Sequence, residues 1–258
     1  MQDVAEVKKG ITGSTLKWIA LVSMLIDHSA YVFIIPILVE NGIYSVADYS
    51  ATYIAELMEQ GSIGWYYLAY QIMRRLIGRL AFPIYCYCLV EGFGRTGSRA
   101  KYAGRLALLA VLSEVPFDLA FYHTVFETEH QNVFLTLLLG FLMIWGMEKL
   151  AEKVNHIWLI GLGQLLLFLA VALLAEWISC DYGWKGIFAL MLLYQFRYQK
   201  GAQILAGCIA FIWEPAALLA FLPISLYNGR KGQQNKLFFY GFYPVHLLVL
   251  YVITTIVK

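Results

Sequence analysis

From Trp18 to Val39 the chain runs apolar for longer than a bilayer core requires, and in that run sit only two strongly polar ionisable side chains, the adjacent Asp27 and His28. A helix needs about 20 apolar residues to cross a ~30 Å hydrocarbon core. Charge at that depth costs a few kcal/mol on insertion scales, so ionisable residues there are functional candidates by default. Similar apolar runs recur to the end of the chain. Only 14% of the residues are charged, where soluble domains carry about a quarter. Together these features exclude an ordinary soluble domain and predict an all-α, polytopic transmembrane helical bundle in the cell membrane. Eighteen Tyr and seven Trp supply interfacial belts.

Charge placement orders the spans. Lys8, Lys9 and Lys17 precede span one, about residues 16–39, and the stretch 40–70 after it holds Glu40, Asp48, Glu56 and Glu59 without Lys or Arg. The positive-inside rule then places the N-terminus in the cytoplasm. Residues 40–70 read as an external loop with an interfacial helix. Span two covers about 76–93, with Arg79 inside it. Arg95, Arg99, Lys101 and Arg105 follow as a cytoplasmic loop. Spans three to six fall at about 102–122, 132–147, 157–177 and 186–198, and the last at about 237–257. Between them, 202–227 reads as two short helices broken at Trp213-Glu214-Pro215, because the basic loop around Arg230 and Lys231 must return to the cytoplasm. The expected total is about nine crossings, with eight if 202–227 is one helix. No repeat or linker divides the chain, so residues 1–258 form one integral membrane domain. No removable signal segment precedes the first helix, which is expected to remain as an anchor.

Several polar groups share a depth. His28 lies about 16 Å past Lys17, Glu114 about 14 Å past Arg105, and His246 about 15 Å past Lys236, at 1.5 Å per residue. Asp118 stands one turn beyond Glu114, and Arg79 and Asn132 belong to the outer half. These groups are expected to face one another rather than lipid. Ordinary structural roles stand beside this: an ion pair of Arg79 with Glu114 or Asp118, an interfacial Asp118, a hydrogen-bonded core His246. An imidazole near a carboxylate in a wet cleft suits a general base or a transient nucleophile, and equally a proton relay in a transporter. The basic inner loops explain topology alone, or else hold a phosphate-rich ligand, which Gly92, Gly94 and Gly97 would let approach the backbone. The four cysteines have no metal spacing, and neither a metal nor a nucleic-acid partner is expected.

A series of short motifs, in order along nearly the whole chain, resembles the TraX family of integral membrane proteins. They include Met24-Leu25-Ile26-Asp27-His28, Ile77-Gly78-Arg79-Leu80-Ala81-Phe82-Pro83, Glu91-Gly92-Phe93, Ser113-Glu114-Val115-Pro116-Phe117-Asp118, Gln131-Asn132-Val133, Asp181-Tyr182-Gly183, Tyr227-Asn228-Gly229 and Phe242-Tyr243-Pro244-Val245-His246-Leu247. The resemblance implies acetylation of the N-terminus of a pilin-like protein, and a kinship with transmembrane acyltransferases of the acyltransferase-3 type. It implies His28 as the catalytic imidazole, Asp27 as its neighbour, and Arg79, Glu114, Asp118, Asn132 and His246 as walls of the chamber. Acetyl-CoA would be the donor, its phosphates on Arg95, Arg99, Lys101, Arg105, Arg230 and Lys231. The acceptor, a pilin-like peptide or a surface glycan, and the oligomeric state are not readable from these residues.

Overall fold

The computed structural model describes residues 9–257, so the basic residue Lys8, used above for orientation, lies outside the described residues. Ten helical segments follow one another: α1 Gly13–Glu40, α2 Ala51–Glu59, α3 Ser62–Arg95, α4 Arg99–Tyr122, α5 Val133–Lys153, α6 Ile157–Trp177, α7 Gly183–Gln195, α8 Lys200–Ala210, α9 Pro215–Ser225 and α10 Lys236–Val257. Among the described residues there is no strand, only two isolated backbone bridges, Ile11 with Tyr227 and Gln131 with Cys180.

Among the described residues five helices are long and apolar enough to cross a membrane: α1, α3, α5, α6 and α10. The nine expected crossings are therefore not confirmed. The helix α4 has 24 residues, but every possible 18-residue stretch of it carries Arg105 or further cations together with Glu114 or Asp118. The helices α7 and α8, of 13 and 11 residues, reach only about 20 and 17 Å. The chain does break between α8 and α9 at Trp213-Glu214-Pro215, as expected from the proline.

The start of the second span also differs from expectation. Helix α3 begins at Ser62, so the aromatic stretch read as external loop is the first part of a long helix. Tyr67 and Tyr70 bury themselves against the outer end of α1 with Ile34 and Leu38. The Tyr67 hydroxyl donates to the Asp48 carbonyl, and Gln71 Nε2 donates to the Val46 carbonyl at 3.1 Å, so the loop between α1 and α2 is satisfied by this helix. What remains between the two long helices is 41–61, carrying α2.

Helix starts follow side-chain caps: Thr12, Ser50, Ser98 and Asn132 each accept a backbone N–H from the first turn they open. The main core joins α3, α5, α7, α8 and α9. Helix α4 packs between α5 and α10, and α1 lies on α3. Helix α6 exposes most of its apolar surface, including Trp158 and Trp177 near its two ends. These rings stand about 28 Å apart along the helix, which matches the spacing of two interfacial belts.

Candidate functional site

Both helices that lead to the site are irregular at the same level. In α1 the stretch Ala30–Ile34, which begins two residues after His28, forms a widened turn. Pro36 follows, and its missing N–H leaves the Val32 carbonyl without its regular partner. In α3 a widened turn spans Gln71–Ile77 and tightens into a 3-10 turn at Gly78–Leu80, with Pro83 next. Such widened turns concentrate at functional sites. Here the distortion is held from across the interface: the Ser23 hydroxyl reaches the carbonyls of Ile77 (2.5 Å) and Gly78 (3.2 Å). Gly78 is required at this crossing, since a Cβ there would lie 2.9 Å from Asp27 Cγ.

The result is a chamber of about 160 Å³ whose polar walls are Asp27, His28, Arg74, Arg79 and Asp181, with aromatic rings between them. His28 Nδ1 lies 2.7 Å from His246 Nε2, and His246 Nδ1 lies 2.8 Å from the Phe242 carbonyl oxygen. Phe121 and Tyr243 meet the His28 ring edge-on at 5.1 and 5.9 Å between centroids. On its other side, His28 Nε2 stands 3.9 Å from Asp27 Oδ2. Asp27 Oδ1 is buried without a hydrogen-bond partner. Arg74 covers the Tyr31 ring at 4.5 Å. Asp181, in the turn between α6 and α7, opens onto the chamber while protein surrounds it. Desolvation, and after it the charge of Asp27, push its carboxyl up to about 6.

The structure thus brings Asp27, His28, Arg79 and His246 together, and separates the other expected members. Arg79 does not pair with Glu114 or Asp118: its Nε lies 3.2 Å from Glu214 Oε2, at the break between α8 and α9. Asn132 is fully buried, donates to the Ala110 carbonyl (2.8 Å) and to the Glu114 carboxylate, and caps α5. Glu114 and Asn132 therefore form the joint between α4 and α5. Asp118 accepts the Glu127 N–H at 3.0 Å and ties down the outer loop. None of these three lines the chamber.

Arg74, Asp181, Tyr182 and Glu214 were not singled out as site residues from sequence. Arg74 and Arg79 are five apart, which on a regular helix diverge by about 140°. The widened turn closes i to i+5 and returns them to one cavity. Asp181 and Tyr182 carried a signal, the Asp181-Tyr182-Gly183 motif, without an assigned role.

At the end of the bundle that holds the start of α1 a larger cavity of about 400 Å³ is lined by Lys17, Arg95, Arg105, Lys231 and Lys236 against the single acid Glu91. Of the expected phosphate-binding residues it gathers Arg95, Arg105 and Lys231. Arg99 is held by Glu148 at 2.8 Å, and Lys101 and Arg230 do not line it. Gly92 lets Tyr102 lie across α3 here, because a Cβ would meet its Oη at 2.9 Å. An apolar cavity of about 120 Å³ lies between the two: it shares the wall residues Lys17, Cys88, Tyr102, Phe239 and Tyr240 with the basic cavity, and Met24, Tyr85, Val133 and Tyr243 with the chamber. A fourth cavity of about 250 Å³, on the side of the chamber away from the basic cavity, shares Phe117, Tyr122 and Asp181 with the chamber and adds Glu129 and His130.

No solved structure matches the chain. Among curated proteins it is similar to the "Probable fimbrial assembly protein FimC, serogroup H1" of Dichelobacter nodosus, at 27% identity over 271 residues, covering 91% of this chain and 92% of the relative. The family model described as TraX protein matches residues 12–254, which include every wall of the chamber and of the basic inner cavity, and the chain therefore belongs to the TraX family.

Proposed function

We propose that the protein is a membrane acetyltransferase that takes an acetyl group from cytoplasmic acetyl-CoA and passes it to an external acceptor, the N-terminus of a pilus or fimbrial subunit. One observation carries the reading: cavities with shared walls run from a five-cation inner mouth, through an apolar neck, to an imidazole and a carboxylate. That order of chemistry matches an acyl-CoA read from head to tail: phosphates, pantetheine arm, thioester. The similarity to a probable fimbrial assembly protein supports a pilus or fimbrial subunit as the acceptor.

In this reading the cations Lys17, Arg105 and Lys231 hold the phosphates, and the neck between Tyr102 and Tyr240 takes the arm. The acceptor amine attacks the thioester carbonyl carbon. A C–N bond forms, the C–S bond breaks, and His28 takes the amine proton and returns it to the departing thiolate. Arg74 and Arg79 face the charge that develops on the carbonyl oxygen, a role whose loss costs about 10²–10³ in rate where it has been measured in other enzymes. An amine suits the space between His28 Nε2 and Asp27 better than a glycan hydroxyl does. Both are hydrogen-bond acceptors 3.9 Å apart, and an amine brings a hydrogen for each whereas a hydroxyl has one.

A proton-coupled transporter is the rival, and it needs no CoA site. Melting curves of the purified protein with and without CoA separate the two. A ligand at 100 times its Kd adds about 2.7 kcal/mol of apparent stability. A CoA-dependent rise in Tm that disappears in Lys231→Ala and Arg105→Ala supports the enzyme. An unchanged Tm at millimolar CoA contradicts it.

A further inference from the structure

The geometry points to His246 as the positioning residue that decides which nitrogen of His28 does the chemistry. Its consequence for rate rests on the acetyl-transfer reading; its structural content does not. Protons can be counted along three groups. A carbonyl oxygen only accepts, so His246 Nδ1, 2.8 Å from the Phe242 carbonyl, carries a hydrogen. A neutral imidazole carries one, which leaves His246 Nε2 with a bare lone pair. That lone pair lies 2.7 Å from His28 Nδ1, so His28 Nδ1 is the donor between them. Neutral His28 then has its own bare lone pair on Nε2, the nitrogen that faces Asp27 across 3.9 Å. Free imidazole side chains prefer the opposite tautomer, with the hydrogen on Nε2, and that form would present no base on this side.

The orienter is thus an imidazole and not the neighbouring carboxylate. Asp27 precedes His28 in sequence but stands on the reactive side of the ring. Packing holds the His246 ring in place: the residue is 6% exposed, and its ring lies nearly parallel to both His28 (9°) and Phe242 (12°). A neutral orienter also holds the imidazolium, once formed, less tightly than a carboxylate would, which favours return of the proton to the leaving thiolate. The hydrogen-bond chain ends on a backbone carbonyl, so His246 is a stop and not a relay.

The test uses the full chain in nanodiscs with ring-¹⁵N-labelled histidine. The signal of His28, one of five histidines, is assigned by its loss in His28→Gln. The wild type is expected to carry the His28 proton on Nδ1. His246→Phe keeps a flat ring but removes the lone pair; the proton should move to Nε2, and kcat should fall by about 10²–10⁴ with KM for acetyl-CoA unchanged. His246→Gln offers an acceptor oxygen and should restore the Nδ1–H form and part of kcat. A wild-type His28 protonated on Nε2, or a His246→Phe variant with an unmoved proton, overturns the assignment. Should His246→Phe fail to fold, the wild-type tautomer decides alone. The expected tautomers with no acetyl transfer by any form uphold the role of His246 and sink the enzyme.

Discussion

In the proposed reaction His28 is the residue around which the chemistry turns, and its surroundings differ from those of an ordinary buried histidine in one respect: one nitrogen is tied to a second imidazole and the other is left facing a carboxylate. His28→Gln keeps a polar side chain in α1, and is expected to abolish transfer while the protein accumulates in the membrane at wild-type levels, as an immunoblot of membrane fractions shows. Asp181 permits a prediction about pH. Its carboxyl is pushed up to about 6 in the fold, so the folded state holds a proton that the unfolded chain has released. Its contribution to stability is therefore full below the ordinary carboxylate range and is lost as pH rises through about 6. The Tm of Asp181→Asn minus that of wild type should grow between pH 4 and pH 7. A difference that is flat with pH would remove Asp181 from the chamber's electrostatics. In the sequence, Asp27, His28, Arg79 and His246 were legible because ionisable groups at one depth must find one another or water. Glu114, Asp118 and Asn132 share that depth too, but they satisfy a helix joint, a loop and a cap. Depth is encoded by counting from the helix ends; the direction a side chain faces is not.

At the scale of elements, the fold was legible wherever apolar runs were regular and failed where helices depart from regular geometry. Residues 62–70 carry Trp65, Tyr66, Tyr67 and Tyr70 and read as part of an external loop, yet they open α3, because α1 and the loop beside α2 supply the packing. The crossing of α1 and α3 depends on the absence of a side chain at residue 78. Ala is the better helix former by about 1 kcal/mol, but at Gly78 its Cβ would be forced onto the Asp27 carboxylate. Overpacking of this kind costs about 1–3 kcal/mol. Gly78→Ala is thus expected to lower Tm and to lower kcat with it. A Tm raised by helix propensity alone would show that the two helices are not in close contact there. The count of nine crossings stays unconfirmed where helices are short: α7 and α8 are apolar but have only 13 and 11 residues, α7 packing on α5 and α3 and α8 on α7 and α9.

For the whole molecule, the meaning of the basic loops changes with the fold. In the sequence, the cations near residues 17, 95–105 and 230–236 were sufficiently explained by topology. The structure gathers five of them around one cavity and sets that cavity in line with the chamber. In the acetyl-CoA reading proposed above, phosphate binding there should weaken with salt, because exposed charge pairs are screened within about 8 Å at physiological ionic strength. Raising salt should therefore increase KM for acetyl-CoA and leave kcat nearly unchanged. If an acyl group travels from the inner mouth to His28 and leaves toward the outside, proteoliposomes should reveal it. The inner face of the protein is supplied with isotope-labelled acetyl-CoA, an amine-terminated peptide of a pilus subunit is placed on the opposite side, and the peptide is read by mass spectrometry. Labelled acetyl is expected on the peptide amine with wild type and none with His28→Gln. Equal labelling with both proteins, or none with wild type while CoA binds, would contradict that route.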